Sequence, residues 1–199
     1  MNERFMYHGL VLGAFCLGFG AVLAVTNRIT SADIAQRAME DRQTSLGQVI
    51  PAAIHDNNPV TDTVTLTDDE GQPMTVYRAL SKGQVTGVAY EIRGPGYAGP
   101  IKLMLGVAAD GQVLGVRVLA HKETPGLGDK IEVKKGDWIQ RFTGLTLGDP
   151  PVEKWKVKKD GGEFDQFTGA TITPRGVVGA IRDGLAFFAA RKDQMTEVR

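Results

Sequence analysis

The first part of the chain is continuously apolar. Residues 5–27 contain no Asp, Glu, Lys or Arg, and residues 9–25 consist only of apolar residues and glycine. Since a helix needs about 20 mostly apolar residues to cross a bilayer, this pattern predicts a transmembrane anchor over residues 1–27. Gly9 and Gly13 form a small-residue pair of the kind at which membrane helices pack closely together.

A cleaved signal peptide is the alternative for this segment. Val22-Leu23-Ala24 is similar to a cleavage site, and Arg4 is similar to a short positive leader. The apolar stretch, however, is longer than the core of about 7–15 residues that signal peptides have, and Glu3 offsets Arg4. The uncleaved anchor is therefore favoured. Its orientation stays open on charge alone, because basic residues flank it on both sides.

Beyond the anchor, the apolar positions first follow a helical period and then alternate. Residues 28–50 contain no Pro and predict a helical stalk, which ends in the Pro- and Asn-containing stretch 51–59. Short apolar or alternating runs separated by Gly, Pro and Asp follow, and they are typical of strands. The predicted strands lie at residues 64–66, 76–80, 85–92, 101–109 and 113–119.

Turn residues predict how these strands connect. Residues 68–73 form a polar turn, and residues 94–100 form a Gly- and Pro-rich loop. Asp110-Gly111 predicts a two-residue hairpin turn with positive φ angles. Residues 138–142 predict a short helix.

The last predicted element is a long amphipathic helix. Thr173 is suited to its N-cap and Pro174 to its first helical position. An apolar stripe at helical spacing follows. It consists of Val177, Val178, Ile181, Leu185 and Phe188.

These elements predict an α+β fold, with a single transmembrane helix followed by a twisted, mainly antiparallel sheet and flanking helices. The expected organisation is an anchor at 1–27, a helical stalk and linker at 28–60, and a folded domain at 61–199.

Composition narrows the function. Lys plus Arg and Asp plus Glu each total 23, so the net charge is zero and the basic surface of a nucleic-acid-binding protein is not expected. The only cysteine, Cys16, lies in the apolar segment. An intramolecular disulfide and a cysteine-based metal or iron–sulfur site in the domain are therefore excluded.

The candidate chemistry lies in residues 165–174, Asp-Gln-Phe-Thr-Gly-Ala-Thr-Ile-Thr-Pro, directly before the last predicted helix. Helix N-termini leave backbone N–H groups unpaired and are natural phosphate sites. Thr168, Thr171 and Thr173 surround a Gly-Ala pair that leaves room for a bulky group near the backbone. An ordinary threonine-capped helix start is the alternative, because capping threonines are common.

Residues 165–171 resemble the flavinylation motif of FMN-binding domains, in which an Asp precedes a Ser/Thr-Gly-Ala-Thr run. In that family a flavin transferase joins FMN through its phosphate to the final threonine. The resemblance therefore implies a covalent FMN on Thr171 and a role for the transferase in maturation. The matching residues are Asp165, Thr168, Gly169, Ala170 and Thr171.

Further blocks carry the same resemblance, which covers about residues 85–190. Residues 96–101 resemble the family's glycine-tyrosine loop, and residues 138–142 fall where the family has a short aromatic helix. Residues 121–129 resemble its Glu-Thr-Pro-Gly-Leu-Gly loop, which lies near the flavin. This implies cofactor contacts for Glu123, Thr124, Gly126, Leu127 and Gly128.

Alternatives stay open for single side chains in these blocks. Glu123 is expected to shape the loop or to hydrogen-bond near the flavin rather than to act as a general base. Thr124-Pro125-Gly126 is also compatible with a simple tight turn. His121 is interpreted as a loop histidine and not as a metal ligand. Trp138 and Tyr97 are candidates for stacking on a flavin, with the protein core as the alternative.

Among membrane proteins with such a domain, the chain resembles the G subunits of Rnf/Rsx ion-translocating electron transport complexes more than the C subunits of sodium-translocating NADH:quinone reductases. The resemblance implies a periplasmic domain on a bacterial inner membrane. It also implies partner subunits in the membrane and a role in relaying electrons within a complex that couples ferredoxin–NAD electron transfer to ion export. Catalytic acid–base residues and a metal are not expected. A stand-alone membrane-anchored flavin reductase and a cofactor-free envelope scaffold are the alternatives.

Overall fold

The computed structural model describes residues 2–68 and 71–197, without the side chains of residues 2–5, 32–35, 38 and 39. Its first element, α1, is a continuous helix over Asn2–Val49. Within α1, the segment Met6–Ser31 is long and apolar enough to cross a membrane. The predicted apolar helix and its helical continuation over residues 28–49 are thus confirmed as helix.

The chain divides into two compact units, Met1–Arg42 and Gln43–Arg199. The first unit consists of the greater part of α1. The second contains the last turns of α1, all strands of the sheet and the C-terminal helix. The folded unit thus begins at Gln43 and includes residues 43–60, which the sequence pattern groups with the stalk and linker.

The sheet is an open antiparallel meander with the strand order β1-β2-β3-β4-β5. Every neighbouring strand pair is antiparallel, so the α+β prediction is confirmed. The predicted turn at 68–73 falls partly on Asp69 and Glu70, which lie outside the described residues. The strands span β1 Thr63–Thr67, β2 Pro73–Ser81, β3 Gln84–Pro95, β4 Pro100–Ala108 and β5 Val113–Ala120.

The tight two-residue turn lies elsewhere than predicted. Lys82 and Gly83, between β2 and β3, have φ angles of 52° and 79°, and Ser81 pairs with Gln84 across them. At Asp110-Gly111 only the glycine has a positive φ, 97°, and the N–H of Gly111 donates to Ala108 O at 2.9 Å. The prediction of positive φ at both residues is wrong, because this hairpin uses a longer loop that ends in a left-handed glycine.

The C-terminal helix, α2, spans Ile172–Thr196 and covers one face of the sheet. Its predicted stripe is buried, with Val177 and Ile181 both fully inaccessible. These side chains pack against alternate residues of β3 and β4, for example Tyr90 and Leu103. The Tyr90 hydroxyl donates to Gly184 O at 2.9 Å.

The opposite face of the sheet has its own core. The last turn of α1 contributes Leu46 and Val49, and Ile50 follows directly; all three are buried. They pack against Tyr77, Ala79, Ala89 and Met104 of β2–β4.

Helix α2 begins differently from the prediction. The N–H of Arg175 donates to Thr171 O at 3.2 Å, which makes Thr171 the N-cap residue and puts Pro174 at the third helical position. The prediction that Thr173 caps the helix is wrong, because Thr173 is already inside the first turn. Its hydroxyl hydrogen-bonds to Glu123 instead.

Candidate functional site

The segment before α2 forms a turn that presents Thr171. The N–H of Ala170 donates to Phe167 O at 3.1 Å, and Gly169 has a φ of 80°, which favours glycine at this position. Thr168 and Gly169 are exposed, whereas Ala170 and Thr171 are half-buried. Phe167 is buried in the core below them and anchors the turn.

The hydroxyl of Thr171 is not used to cap α2. Within the described residues, this N-cap side chain forms no hydrogen bond to the first turn of the helix. The first N–H groups of any helix lack intrahelical acceptors, and the N-terminal end of the helix dipole favours negative charge. Thr171 therefore carries a hydroxyl at a position suited to a phosphate group. The alternative of an ordinary threonine cap is not supported.

Glu123 is a buried carboxylate that contacts two other parts of the site. It is 5% exposed. Its Oε1 accepts a hydrogen bond from the N–H of Ala98 at 3.1 Å, and its Oε2 accepts one from the hydroxyl of Thr173. Three segments therefore meet at one side chain: the 96–101 loop, the 121–129 loop and the start of α2. The predicted loop-shaping role of Glu123 has these contacts as its geometric basis.

Two glycines make room for this carboxylate. A β-carbon at Gly96 would lie 2.5 Å from Glu123 Oε1, and one at Gly128 would lie 2.8 Å from both Glu123 Oε2 and the Thr173 hydroxyl oxygen. Separations below about 3 Å are not tolerated between a β-carbon and an oxygen. Both positions therefore require glycine while Glu123 stays in place.

The 123–128 loop is a tight turn with an exposed tip. Thr124 O accepts hydrogen bonds from the N–H groups of Leu127 and Gly128 at 3.1 and 3.2 Å, and Gly126 has a φ of 79°. Thr124-Pro125-Gly126 therefore forms a tight turn, and the contacts of these residues with a flavin stay a prediction. The Leu127 side chain lies beside Gly169, 3.6 Å from where a β-carbon at Gly169 would be. This contact joins the loop to the segment before α2.

Exposed apolar side chains lie on these loops and at the start of α2. Tyr97, Leu127 and Ile172 are 71%, 41% and 45% exposed, and each neighbours a residue that contacts Glu123 or Gly169. Trp138, in contrast, is buried and packs against Phe142 and Phe167. Trp138 therefore belongs to the core, whereas Tyr97 is free to contact a planar ligand.

Asp165, which precedes the turn, forms two ion pairs. Its carboxylate lies 2.6 Å from Lys158 Nζ and 2.5 Å from a guanidinium nitrogen of Arg141. The hydrogen bond from Lys158, followed by that from Arg141, lowers the pKa of this carboxyl below its usual value. Asp165 O also accepts the indole N–H of Trp138 at 2.8 Å. Neither basic partner could be predicted from the local sequence, because Lys158 and Arg141 lie 7 and 24 residues from Asp165 along the chain.

His121 and Asp129 support the same loop. Because His121 Nδ1 accepts the N–H of Glu123 at 3.0 Å, its Nε2 carries the proton and donates to Glu132 at 2.8 Å. Asp129 is buried, and the N–H of Gly126, followed by nearby Lys135, lowers its pKa. Sequence reasoning missed the role of Asp129. Within the described residues no cluster of His, Cys, Asp and Glu is suited to a metal ion.

Comparison with known proteins gives two family matches. Residues 96–186 match the FMN-binding domain, which contains every candidate residue described above. Residues 1–49 match the RnfG N-terminal region. The residues present are compatible with an FMN, since they combine a threonine hydroxyl that does not cap α2, a helix N-terminus and exposed apolar side chains.

Curated relatives match nearly the whole chain. The G subunit of an ion-translocating oxidoreductase complex from Cereibacter sphaeroides is 51% identical over 94% of this chain and 85% of its own length. A protein of the same name from Stutzerimonas stutzeri is 46% identical over 94% of this chain and 82% of its own length.

A solved structure shares the fold. The C subunit of a Na(+)-translocating NADH-quinone reductase from Parabacteroides distasonis superposes with a TM-score of 0.54 at 18% identity, over 79% of this chain and 94% of that one. At this identity the similarity concerns the fold alone. On the identity and coverage of the curated relatives, the chain belongs to the family of G subunits of ion-translocating oxidoreductase complexes.

Proposed function

We propose that this chain is the flavoprotein subunit of an ion-translocating oxidoreductase, and that it relays electrons through an FMN joined to Thr171 by a phosphoester bond. One observation carries the attachment. Thr171 stands at the start of α2 with a hydroxyl that does not cap the helix, inside the matched FMN-binding domain.

In this proposal the Thr171 oxygen displaces one oxygen substituent from the phosphorus of the flavin donor. A new P–O bond forms, the old P–O bond breaks, and the leaving oxygen takes up the proton that the threonine hydroxyl gives up. The product is a phosphodiester at the N-terminus of α2, where unpaired N–H groups stabilise its negative charge. The covalent bond keeps the cofactor on the protein, while Thr168 and Gly169 leave the segment accessible to a modifying enzyme.

The bound flavin supplies the electron-transfer chemistry, and the protein supplies its position and its surroundings. Glu123 and Gly128 shape the loop, Leu127 and Tyr97 offer exposed apolar surface, and Asp165 holds the segment between two basic side chains. Electron relay by the finished flavoprotein assigns no catalytic acid, base or nucleophile to the domain.

The proposed location is the inner membrane, with one span and the domain in the periplasm. The apolar helical segment Met6–Ser31, which is long enough to cross a membrane, supports the anchor. Partners are the other membrane subunits of a complex that couples ferredoxin–NAD electron transfer to ion translocation, and a flavin transferase during maturation. The names of the curated relatives support membership in an ion-translocating oxidoreductase complex.

A stand-alone flavin reductase is the competing function. It predicts that the detergent-extracted chain migrates alone on a native gel, whereas the proposed function predicts comigration with other membrane subunits. The identity of 51% to a component of such a complex over 94% of the chain favours the second outcome.

The attachment is tested by the intact mass of the chain extracted from its own host, together with in-gel flavin fluorescence after denaturation. We expect an FMN-sized mass increase and fluorescence in the wild type, and neither in Thr171→Ala. Peptide mass spectrometry of the wild type serves as the control for position, since Thr168 lies in the same segment. An unmodified mass in the wild type would contradict the proposal.

A further inference from the structure

We propose that Glu123 is the positioning residue of the flavin site. Its buried carboxylate holds three segments in one arrangement: the 96–99 loop, the 123–128 loop and the start of α2. The inference rests on the proposed function, since the surface held in this way is the one on which a flavin on Thr171 would rest. Glu123 acts through these segments, so the role is positioning and not catalysis.

The hydrogen bonds carry the first step. The Glu123 carboxylate accepts the N–H of Ala98 with one oxygen and the hydroxyl of Thr173 with the other. These partners lie 25 and 50 residues away along the chain. The backbone N–H of Glu123 is fixed separately, by His121 Nδ1 at 3.0 Å. Within the described residues, the side chain therefore makes its hydrogen bonds to the two distant segments and none within its own loop.

Hydrogen-bond donors, rather than a cation, surround the carboxylate of Glu123. No ion pair among the described residues includes Glu123, although its side chain is buried. A buried charge without a cation needs several good donors. The N–H of Ala98, the hydroxyl of Thr173 and the N-terminal end of α2 supply them, since helix N-termini favour negative charge. Displacing any one of these segments would leave the carboxylate underpaired.

Packing makes the arrangement specific. A β-carbon at either Gly96 or Gly128 would collide with the Glu123 carboxylate. The loops thus approach the carboxylate more closely than any other residue type allows at these positions. Such close contact fixes their separation as well as their hydrogen bonds.

The consequence reaches the exposed apolar surface. Tyr97 directly precedes Ala98, and Leu127 lies on the Glu123 loop against Gly169. Ile172 precedes Thr173 at the start of α2. Releasing Glu123 therefore removes the common support of the three segments that carry these exposed side chains.

Two substitutions separate the hydrogen bonds from the charge. In Glu123→Gln the amide oxygen still accepts the Ala98 N–H, and the amide nitrogen donates to the Thr173 hydroxyl. Glu123→Ala removes both bonds and leaves a cavity. Glu132→Ala is the matched control, because Glu132 hydrogen-bonds to His121 beside the same loop but not to the other two segments.

The experiment measures two properties of the full chain extracted in detergent. The first is hydrogen–deuterium exchange of the three segments, in a Thr171→Ala background without covalent flavin. The second is the visible circular dichroism of the flavin in chains that retain Thr171, which reports how rigidly the ring is held. The flavin dichroism separates positioning from a mere loss of stability, because Glu132→Ala also removes a hydrogen bond beside the 123–128 loop but does not release the other two segments.

For Glu123→Ala we expect exchange in all three segments to rise by about tenfold or more, since hydrogen bonds to a charged group are lost there. The flavin dichroism should fall to near zero while the covalent mass is retained. Glu123→Gln should remain close to the wild type in both measurements, and Glu132→Ala should affect residues 121–128 only.

Two results would overturn the inference: exchange that rises in the 123–128 loop alone in Glu123→Ala, or flavin dichroism that survives this substitution. Failure of the proposed function is distinguishable from both. It would appear as a wild-type chain without covalent flavin, and the exchange measurement in the Thr171→Ala background would still decide whether Glu123 holds the segments.

Discussion

The hydroxyl of Thr173 donates a hydrogen bond to the carboxylate of Glu123, although the two residues lie 50 positions apart in the sequence. Both side chains are buried, at 0% and 5% exposure. This contact links the loop that resembles a flavin-binding element to the helix start that presents Thr171. The geometry of the site therefore depends on a hydrogen bond between two separate segments of the sequence, which neither segment predicts by itself.

The first prediction concerns this pair. Thr173→Val keeps the shape of the side chain but leaves one buried oxygen of Glu123 without its donor. We expect the free energy of unfolding to fall by about 1–3 kcal/mol, because an unpaired buried acceptor loses its interaction with water as well. Chemical denaturation of the detergent-solubilised chain, followed by tryptophan fluorescence, measures the change. Thr173→Ser retains the hydroxyl and should lose far less; equal losses in both variants would contradict the role of the hydrogen bond.

The second prediction concerns how closely α2 approaches the sheet. A β-carbon at Gly176 would lie only 1.8 Å from Pro95 O at the end of β3. Gly176→Ala must therefore shift the helix, and we expect a loss of about 3 kcal/mol or more in the free energy of unfolding.

Gly179 provides the matched control for this substitution. It lies on the same helix, and nothing lies within 4 Å of a β-carbon placed there. Gly179→Ala should stabilise the chain by up to about 1 kcal/mol, since alanine favours helix over glycine. The same denaturation experiment compares the two. If Gly176→Ala is as stable as Gly179→Ala, the close approach of α2 to β3 is not required.

The elements with strong periodicity could be predicted from the sequence. The alternation at Val64 and Leu66 reflects partial burial of one face of β1. The stripe from Val177 to Phe188 reflects full burial of one face of α2. Boundaries were less predictable. Thr173 has the residue type of an N-cap, but its tertiary partner Glu123 determines where its hydroxyl points. Local propensity does not contain that information.

Turns and ion pairs were also hard to predict from the sequence, because tertiary contacts determine them. Lys82-Gly83 forms the tight β2–β3 turn although Lys rarely adopts a positive φ, because strand pairing on both sides fixes the register. Asp165 could be identified from its motif. Its partners Arg141 and Lys158 could not, since their proximity results from the fold of residues 138–165 and not from spacing along the chain.

The third prediction concerns the pH dependence of these ion pairs. In the folded chain Lys158 and Arg141 lower the pKa of Asp165 below its usual value of 3.8. The ion pairs therefore stabilise the fold fully above pH 3.8, and this contribution is lost as the pH falls through the lowered pKa. Asp165→Asn lacks it at every pH.

We expect the Tm of the wild type to exceed that of Asp165→Asn at neutral pH, and the difference to disappear in strong acid. The effect should be small, about 1 kcal/mol or less, because the carboxylate is partly exposed. Thermal unfolding in the Thr171→Ala background avoids any effect of a cofactor. Added salt of about 1 M should reduce the difference at neutral pH, since it screens exposed charges. A difference independent of both pH and salt would show that the amide changes something other than the ion pairs.

The last prediction concerns where the folded domain begins. Leu46, Val49 and Ile50 are buried against β2–β4, and a β-carbon at Gly106 would lie 2.2 Å from Val49 O. A chain shortened to residues 43–199 should therefore unfold cooperatively in urea. A chain shortened to residues 61–199 should lose about 5 kcal/mol, since burial of each large apolar side chain contributes about 1.5–3 kcal/mol and that estimate is an upper one. It should also aggregate, because Tyr77 and Met104 would become exposed.

Ile50→Ala in the 43–199 chain tests the same contact without a change of length. Ile50 is 1% exposed, so we expect a loss of about 2–5 kcal/mol from the removed contacts and the cavity. Gln48→Ala is the control, because Gln48 is exposed on the last turn of α1. Its truncation should change the free energy of unfolding by less than about 0.5 kcal/mol. If the 61–199 chain proves as stable in urea as the 43–199 chain, the end of α1 is not part of the folded domain, and the second core contributes nothing to it.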